Sequence, residues 1–417
     1  MISKIRDMSD DKLAVSYFIR RLVEYTNGRK KGDDIAHTKP AEYYQQADYK
    51  SRFVIGFFLI SLGILVSTSG GSWDITNHLL NKPETFFAPP HAVLYTGVAL
   101  AILGSAIIFR GWRSSGIYYP ELHIPFKLIV TGILMLIVAG PVDFGWHSAF
   151  GLDGLLSPPH FVLLMGMIMS SIGAMLGIIK YINNRTDNFG SKITCSSVMT
   201  GKNKSNYCST SIVLTVFGIL PIWLATSGLI GMFTLPFSNT KYFDFNPEPS
   251  LAVTFATICY PFLISLILFS SFELTRRKFG ILSITGTVYI TINALTAIMP
   301  SESLLPTLPF YIINIIPIIV ADVVLSISTE RFYYRYIAGA LLGASFFMIH
   351  YPLITYTYNE LLTKQPVWPS LTASIYFGMI NYVYPLVVIP AITMGILGIC
   401  VGNKLIHKVM SSPTNIL

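Results

Sequence analysis

Two stretches of this chain carry the same set of side chains able to hold a metal ion. Asp74, His78 and His91 stand in the pattern Asp-x3-His-x12-His, and Asp143, His147 and His160 repeat it at a constant offset of 69 residues. An aspartate and a histidine four apart share one face of a helix. Directly before the last histidine of each set stands a proline pair, Pro89-Pro90 and Pro158-Pro159. Such a pair ends the preceding segment and suits the first turn of the next helix. A tight return between antiparallel helices then carries the last histidine to the Asp–His face. One carboxylate and two imidazoles converge with coordination positions left over, a donor set suited to copper, iron or zinc. Glu84 and Asp153 lie seven residues before the last histidine of each set. They are placed to orient a ligand from behind.

The match continues past the ligands, with Val93, Leu94 and Gly97 corresponding to Val162, Leu163 and Gly166. Four of the eight histidines in the chain fall in these registers. An internal duplication explains this better than chance, and duplicated helical units recur in membrane proteins. The competing explanation is a set of interfacial polar residues that hydrogen-bond across helices, since structural ion pairs imitate functional sites. Two copies at one spacing weigh against it. The sequence leaves open whether the two sets form separate sites or a single binuclear centre.

The elements that must position these groups are membrane helices. The chain has 417 residues, 52% hydrophobic and 12% charged, with mean hydropathy +0.58. Soluble domains carry about twice that charged fraction. Apolar runs long enough to cross a hydrocarbon core recur along the whole length. They predict an all-α polytopic helical bundle with ten spans, at 53–70, 91–110, 126–142, 160–181, 211–234, 251–272, 279–299, 307–328, 336–357 and 373–401. With the N-terminus in the cytoplasm, inner segments hold 26 Lys and Arg, and outer loops hold Lys82, Lys241 and Lys364. The positive-inside rule therefore places both termini in the cytoplasm and both Asp/His sets at the outer face. The chain divides into a polar, basic cytoplasmic arm (1–52), a duplicated four-helix metal-site domain (53–181), a cytoplasmic linker (182–210), a six-helix membrane domain (211–401) and a cytoplasmic tail (402–417). The arm, with "GRKKGDD", suits the anionic inner leaflet. The linker is polar and rich in Gly, Ser and Asn.

The net charge of +8 fits membrane topology rather than nucleic-acid binding. Cys195, Cys208, Cys259 and Cys400 are scattered, with no CxxC pair to suggest a disulfide framework or a zinc ribbon. The first 50 residues are polar and charged and do not read as a cleavable signal peptide. There is no GxGxxG, no P-loop and no CxxCH haem attachment signal.

The Asp-x3-His-x12-His pattern, with a second acid and a proline just before the last histidine, resembles the C subunit of copper membrane monooxygenases, the family of particulate methane and ammonia monooxygenases. The resemblance covers residues 70–181. It implies copper held by Asp74, His78 and His91, and again by Asp143, His147 and His160, within a membrane oxidoreductase. The chain departs from the family in carrying the motif twice, in being longer, and in a back half without a counterpart. An oxidising outer compartment and the order of divalent-metal affinities also favour copper, with zinc or iron as the other candidates.

Several other residues have both a functional and a packing reading. Met165, Met167 and Met169 lie below His160, where thioethers suit Cu(I), although methionine in an apolar helix is usually packing. Asp322 lies inside span 8, a position for proton coupling or for pairing with a neighbouring helix. His350, near the outer end of span 9, suits an interfacial hydrogen bond. His123 is cytoplasmic, His37 and His407 are exposed, and Trp73 and Trp146 are interfacial anchors. Three functions fit this reading: a copper oxidase or a subunit of one acting on a small molecule, a transporter or delivery protein for copper or another metal, and a structural membrane subunit without metal. The expected partners are the lipid bilayer, other membrane subunits and a small-molecule substrate or metal ion, with no nucleic acid. The expected location is a cell membrane, crossed many times.

Overall fold

In hydrocarbon a chain must satisfy its own backbone hydrogen bonds, so the apolar runs fold as helices. The computed structural model describes residues 40–79, 82, 85–115, 122–151, 156–187, 202–234, 249–275, 277, 279–300, 302, 305, 308–327, 333–345 and 380–411. The helices are α1 (Pro40–Leu79), α2 (Pro89–Ser115), α3 (His123–Phe150), α4 (Pro158–Asp187), α5 (Lys202–Thr234), α6 (Pro249–Leu274), α7 (Ile281–Ile298), α8 (Leu308–Ile313), α9 (Ile315–Ile327), α10 (Tyr333–Ser345) and α11 (Ile380–Ser411). Eight of them, α1 to α7 and α11, are long and apolar enough to cross a membrane. The protein is an all-α multi-pass membrane bundle.

Several helices outrun their apolar cores. The span predicted at 53–70 continues to Leu79, and the one predicted at 126–142 continues to Phe150. Both extensions carry the Asp-x3-His half of a motif, which is therefore helical. Helices α4 and α5 reach to Asp187 and from Lys202, so much of the predicted linker at 182–210 is helical. The span predicted at 307–328 is two pieces, α8 and α9, broken at the buried Asn314, whose N–H donates to the Tyr311 carbonyl. Of the span predicted at 336–357, residues beyond Ser345 lie outside the described residues.

Glycine sets how closely the front helices approach. Helices α1 and α2 form one antiparallel hairpin, and α3 and α4 form another. A Cβ added at Gly63 would lie 2.5 Å from the Gly97 carbonyl oxygen, and one at Gly132 would lie 2.5 Å from that of Gly166. These glycine pairs are themselves 69 residues apart. Each hairpin thus crosses backbone to backbone at the same register, the close approach that small residues allow in membrane helices.

Two hydrophobic cores result. One gathers Phe57, Ile60, Ile64, Ile129 and Ile178 of α1, α3 and α4 with α2 and part of α5. The other gathers Trp223, Phe269, Leu282, Tyr289 and Leu342 from α5 onward, with Leu65 of α1 reaching into it. Helix α1 and the turn after it join the halves: Ser72 and Thr296 share a hydroxyl hydrogen bond of 2.9 Å, and the Lys82 ammonium donates to the Pro300 carbonyl.

Asp322, fully buried on α9, is bound to the neighbouring helix. Its Oδ2 accepts from the Gly280 N–H at 3.0 Å, the Ser283 N–H at 3.1 Å and the Ser283 hydroxyl at 2.7 Å. The carboxylate caps the start of α7, where unsatisfied N–H groups and the helix dipole favour negative charge. This geometry supports the packing role of Asp322 and gives no support to proton coupling.

Candidate metal centre

Each half of a motif is placed by an ordinary helix signal. Asp74 and His78 lie one turn apart near the end of α1, as Asp143 and His147 do near the end of α3. The chain then returns, and Pro89-Pro90 and Pro158-Pro159 open α2 and α4 with His91 and His160 in the first turn. In the second return the Ser157 hydroxyl lies 3.5 Å from the His160 N–H, at the N-cap position of α4. All six residues therefore stand at the same end of the bundle.

Within each trio both imidazoles face one carboxylate oxygen. Nε2 of His78 lies 3.4 Å from Asp74 Oδ2, and Nε2 of His91 lies 3.1 Å from the same atom. Nε2 of His147 lies 3.6 Å from Asp143 Oδ1, and Nε2 of His160 lies 3.4 Å from that atom. A charge-assisted hydrogen bond runs at about 2.8 Å, whereas two ligands of one tetrahedral ion with bonds of about 2.05 Å sit about 3.3 Å apart. The His91–Asp74 contact is a hydrogen bond, and the other three spacings lie nearer the co-ligand distance than that of a strong hydrogen bond. Five of the six residues are buried, and His160 is partly buried.

The trios touch. The rings of His78 and His147, equivalent positions in the two motifs, meet edge to face with centroids 4.8 Å apart. His160 lies 5.8 Å from His78 and 5.3 Å from His147 by the same measure. Two groups of three donors have all their ligand atoms within 4.8 Å of one another: Asp74, His78 and His91, and His78, His147 and His160. His78 belongs to both. Asp143 belongs to neither group but faces His147 and His160 through Oδ1, so the two motifs adjoin where the sequence left open separate sites or a shared one.

Backbone carbonyls fix which ring nitrogen faces inward. His91 Nδ1 lies 3.0 Å from the Thr85 carbonyl oxygen, and His147 Nδ1 lies 3.3 Å from that of Gly151. A carbonyl can only accept, so each Nδ1 carries the hydrogen and donates it. In a neutral ring the Nε2 lone pair then points at a carboxylate oxygen, so two acceptors face each other in a buried place. A proton or a metal cation between them removes that conflict. Metal-ligating histidines are oriented by this kind of outer hydrogen bond.

Thr85 and Gly151 escaped the sequence reading. Gly151 was findable: it follows the last turn of α3, its φ of +77° is one glycine favours, and its N–H donates to the His147 carbonyl as a helix C-cap. Nothing in the residue type marks Thr85. Glu84 and Asp153 lie outside the described residues, as do His37 and His350. His123 packs against Trp112 at the opposite end of the bundle, and His407 is on the last turns of α11. Met167 is buried and lines a cavity of about 200 Å³ that also touches Asp74, His91, Asp143 and His160.

Comparison with protein-family profiles, curated proteins and solved structures finds no match. The site thus has to be read from its own chemistry. The protein is a membrane-spanning helical protein with Asp/His groups close enough together that each could hold a metal ion.

Proposed function

We propose that this chain is an integral membrane copper protein whose six Asp and His residues form one centre with two adjoining ion positions, to each of which His78, as an imidazolate that has released its ring proton, would offer one nitrogen. The observation that carries the reading is the meeting of the two motifs. Four imidazole Nε2 atoms face two buried carboxylate oxygens at 3.1–3.6 Å, and the motifs contact each other through His78, His147 and His160. No group of more than three donors gathers around one point among the described residues, which favours two ion positions over one. Nitrogen and oxygen donors follow the affinity order that peaks at copper. The constant offset of 69 between ligands, and between the glycine pairs of the two crossings, supports an origin by duplication.

Copper at such a centre supplies one-electron redox chemistry. The chain's own residues would hold and orient it. Thr85 and Gly151 set the tautomers of His91 and His147, Asp74 and Asp143 would balance the ionic charge, and the surrounding apolar helices would limit water. We place the centre at the outer membrane face and assign the protein as an oxidase, or a subunit of one, that uses dioxygen and an external electron donor on a small molecule. Metal quantification on purified protein tests this. The wild-type chain is expected to hold two copper ions, and His78→Ala and His147→Ala to hold fewer. Unchanged copper in both variants would rule out the assigned ligands.

A further inference from the structure

The cavity that touches the Asp/His cluster has walls from both halves of the protein. Leu94, Leu163 and Met167 come from the front helices, and Leu224, Met232 and Tyr289 from the back. On the back side the Tyr289 hydroxyl donates to Ser227 Oγ at 2.9 Å, and both residues line the cavity. The Tyr289 ring stacks on Trp223 with centroids 4.0 Å apart and planes 5° from parallel, so the phenol is held rigidly. Asn293, which also lines the cavity, is fixed by donating to the Tyr289 carbonyl at 2.9 Å.

We propose that this cavity is the chamber for a small, uncharged organic molecule whose single hydrogen-bonding group is held by Tyr289 and Ser227, with its apolar body toward the Asp/His cluster. The proposal deepens the copper reading and rests on it for any chemistry, but not for binding. Size comes first: a protein cavity of about 150 Å³ accepts benzene, so about 200 Å³ accepts a ring with one polar substituent. Charge comes second. Among the described residues no Lys or Arg lines the cavity, so no fixed positive charge is there to recognise an anion, and its carboxylates and imidazoles are those of the Asp/His cluster at one end. Polarity comes third. With the phenol O–H committed to Ser227, the serine hydroxyl still has a hydrogen to donate and the phenol oxygen can still accept. Together they match an alcohol, phenol or carbonyl group.

Depth agrees with this orientation. Tyr289 lies seven residues before Thr296, and Thr296 is bonded to Ser72 beside Asp74. At the rise of a helix that is about 10 Å below the cluster, room for a ring-sized body between the two.

The test uses 4-fluorophenol and fluorobenzene as probes, followed by fluorine NMR on the full chain in detergent. Saturable 4-fluorophenol binding is expected in the wild type. Tyr289→Phe keeps the stacked ring and is expected to weaken it about tenfold, the worth of one hydrogen bond, while fluorobenzene binds as before. A signal that grows linearly with probe, as micelle partitioning gives, overturns the proposal. So does Tyr289→Phe binding 4-fluorophenol as tightly as the wild type. Measuring copper on the same samples separates the two readings. Copper bound without saturable probe binding defeats the chamber alone, and saturable probe binding without copper defeats the metal centre alone.

Discussion

Gly70 and Gly71 are neighbours on α1, yet replacing them with alanine should have different effects on copper. A Cβ at Gly70 would lie 2.6 Å from the Leu94 N and 2.9 Å from the Pro90 carbonyl oxygen, both backbone atoms of α2. A Cβ at Gly71 would meet only the ends of two flexible side chains, Met167 Cε at 3.8 Å and Leu94 Cδ1 at 4.0 Å. Ordinary contact begins near 3.4 Å, so Gly70→Ala must part α1 from α2 by about 0.8 Å, at a cost of about 1–3 kcal/mol for overpacking. Pro90 adjoins His91, and Asp74 is one turn from Gly70, so the separation falls on the Asp74–His91 spacing of 3.1 Å. Widened to about 3.9 Å, it departs from the spacing of about 3.3 Å that two ligands of one tetrahedral ion take. Losses of roughly 10- to 100-fold in affinity follow when support for a ligand is disturbed. Competitive copper titration against a chromophoric chelator should show that loss in Gly70→Ala and wild-type affinity in Gly71→Ala, with helical circular dichroism unchanged in both. Equal affinities in the two variants would refute the argument that this helix crossing sets the ligand spacing.

Other outcomes follow from the same geometry. His78→Ala should lose copper from both positions and His91→Ala from one, read as metal per chain by mass spectrometry. Gly151→Ala should lower thermal stability by about 1–2 kcal/mol because alanine resists a positive φ. It should also weaken copper binding, by turning away the carbonyl that orients His147. Asp322→Ala removes the acceptor for three donors at the start of α7 and should cost about 3 kcal/mol in a detergent unfolding assay, with copper per folded chain unchanged. A normal melting temperature with lost copper would reverse that assignment.

Much of the site was legible because its signals are local. The four-residue spacing of Asp74 and His78, the proline pairs and the offset of 69 all follow from short-range chain geometry, and the structure sets these residues on the helix ends that spacing implies. Helix length was less legible. Hydropathy records where apolar residues stop, and α1 and α3 run on because the polar Asp and His still find partners inside the protein. The meeting of the two motifs could not be read at all, since it depends on how one hairpin docks on the other. For the same reason Ser227, Tyr289 and Asn293 gave no signal: each is an ordinary residue of an apolar helix until α5 and α7 are set against α1 and α4. Asp322 stands out in an apolar run as a costly residue, but its partner, the start of α7, is a backbone feature that no residue type announces.

The claim on which the account rests is that two motifs 69 residues apart make one centre. Electron paramagnetic resonance of protein loaded with two equivalents of Cu(II) tests it most directly. A dipolar-coupled pair of copper ions is expected in the wild type and a single uncoupled signal in His160→Ala. Two independent mononuclear signals in the wild type, with no coupling between them, would contradict it.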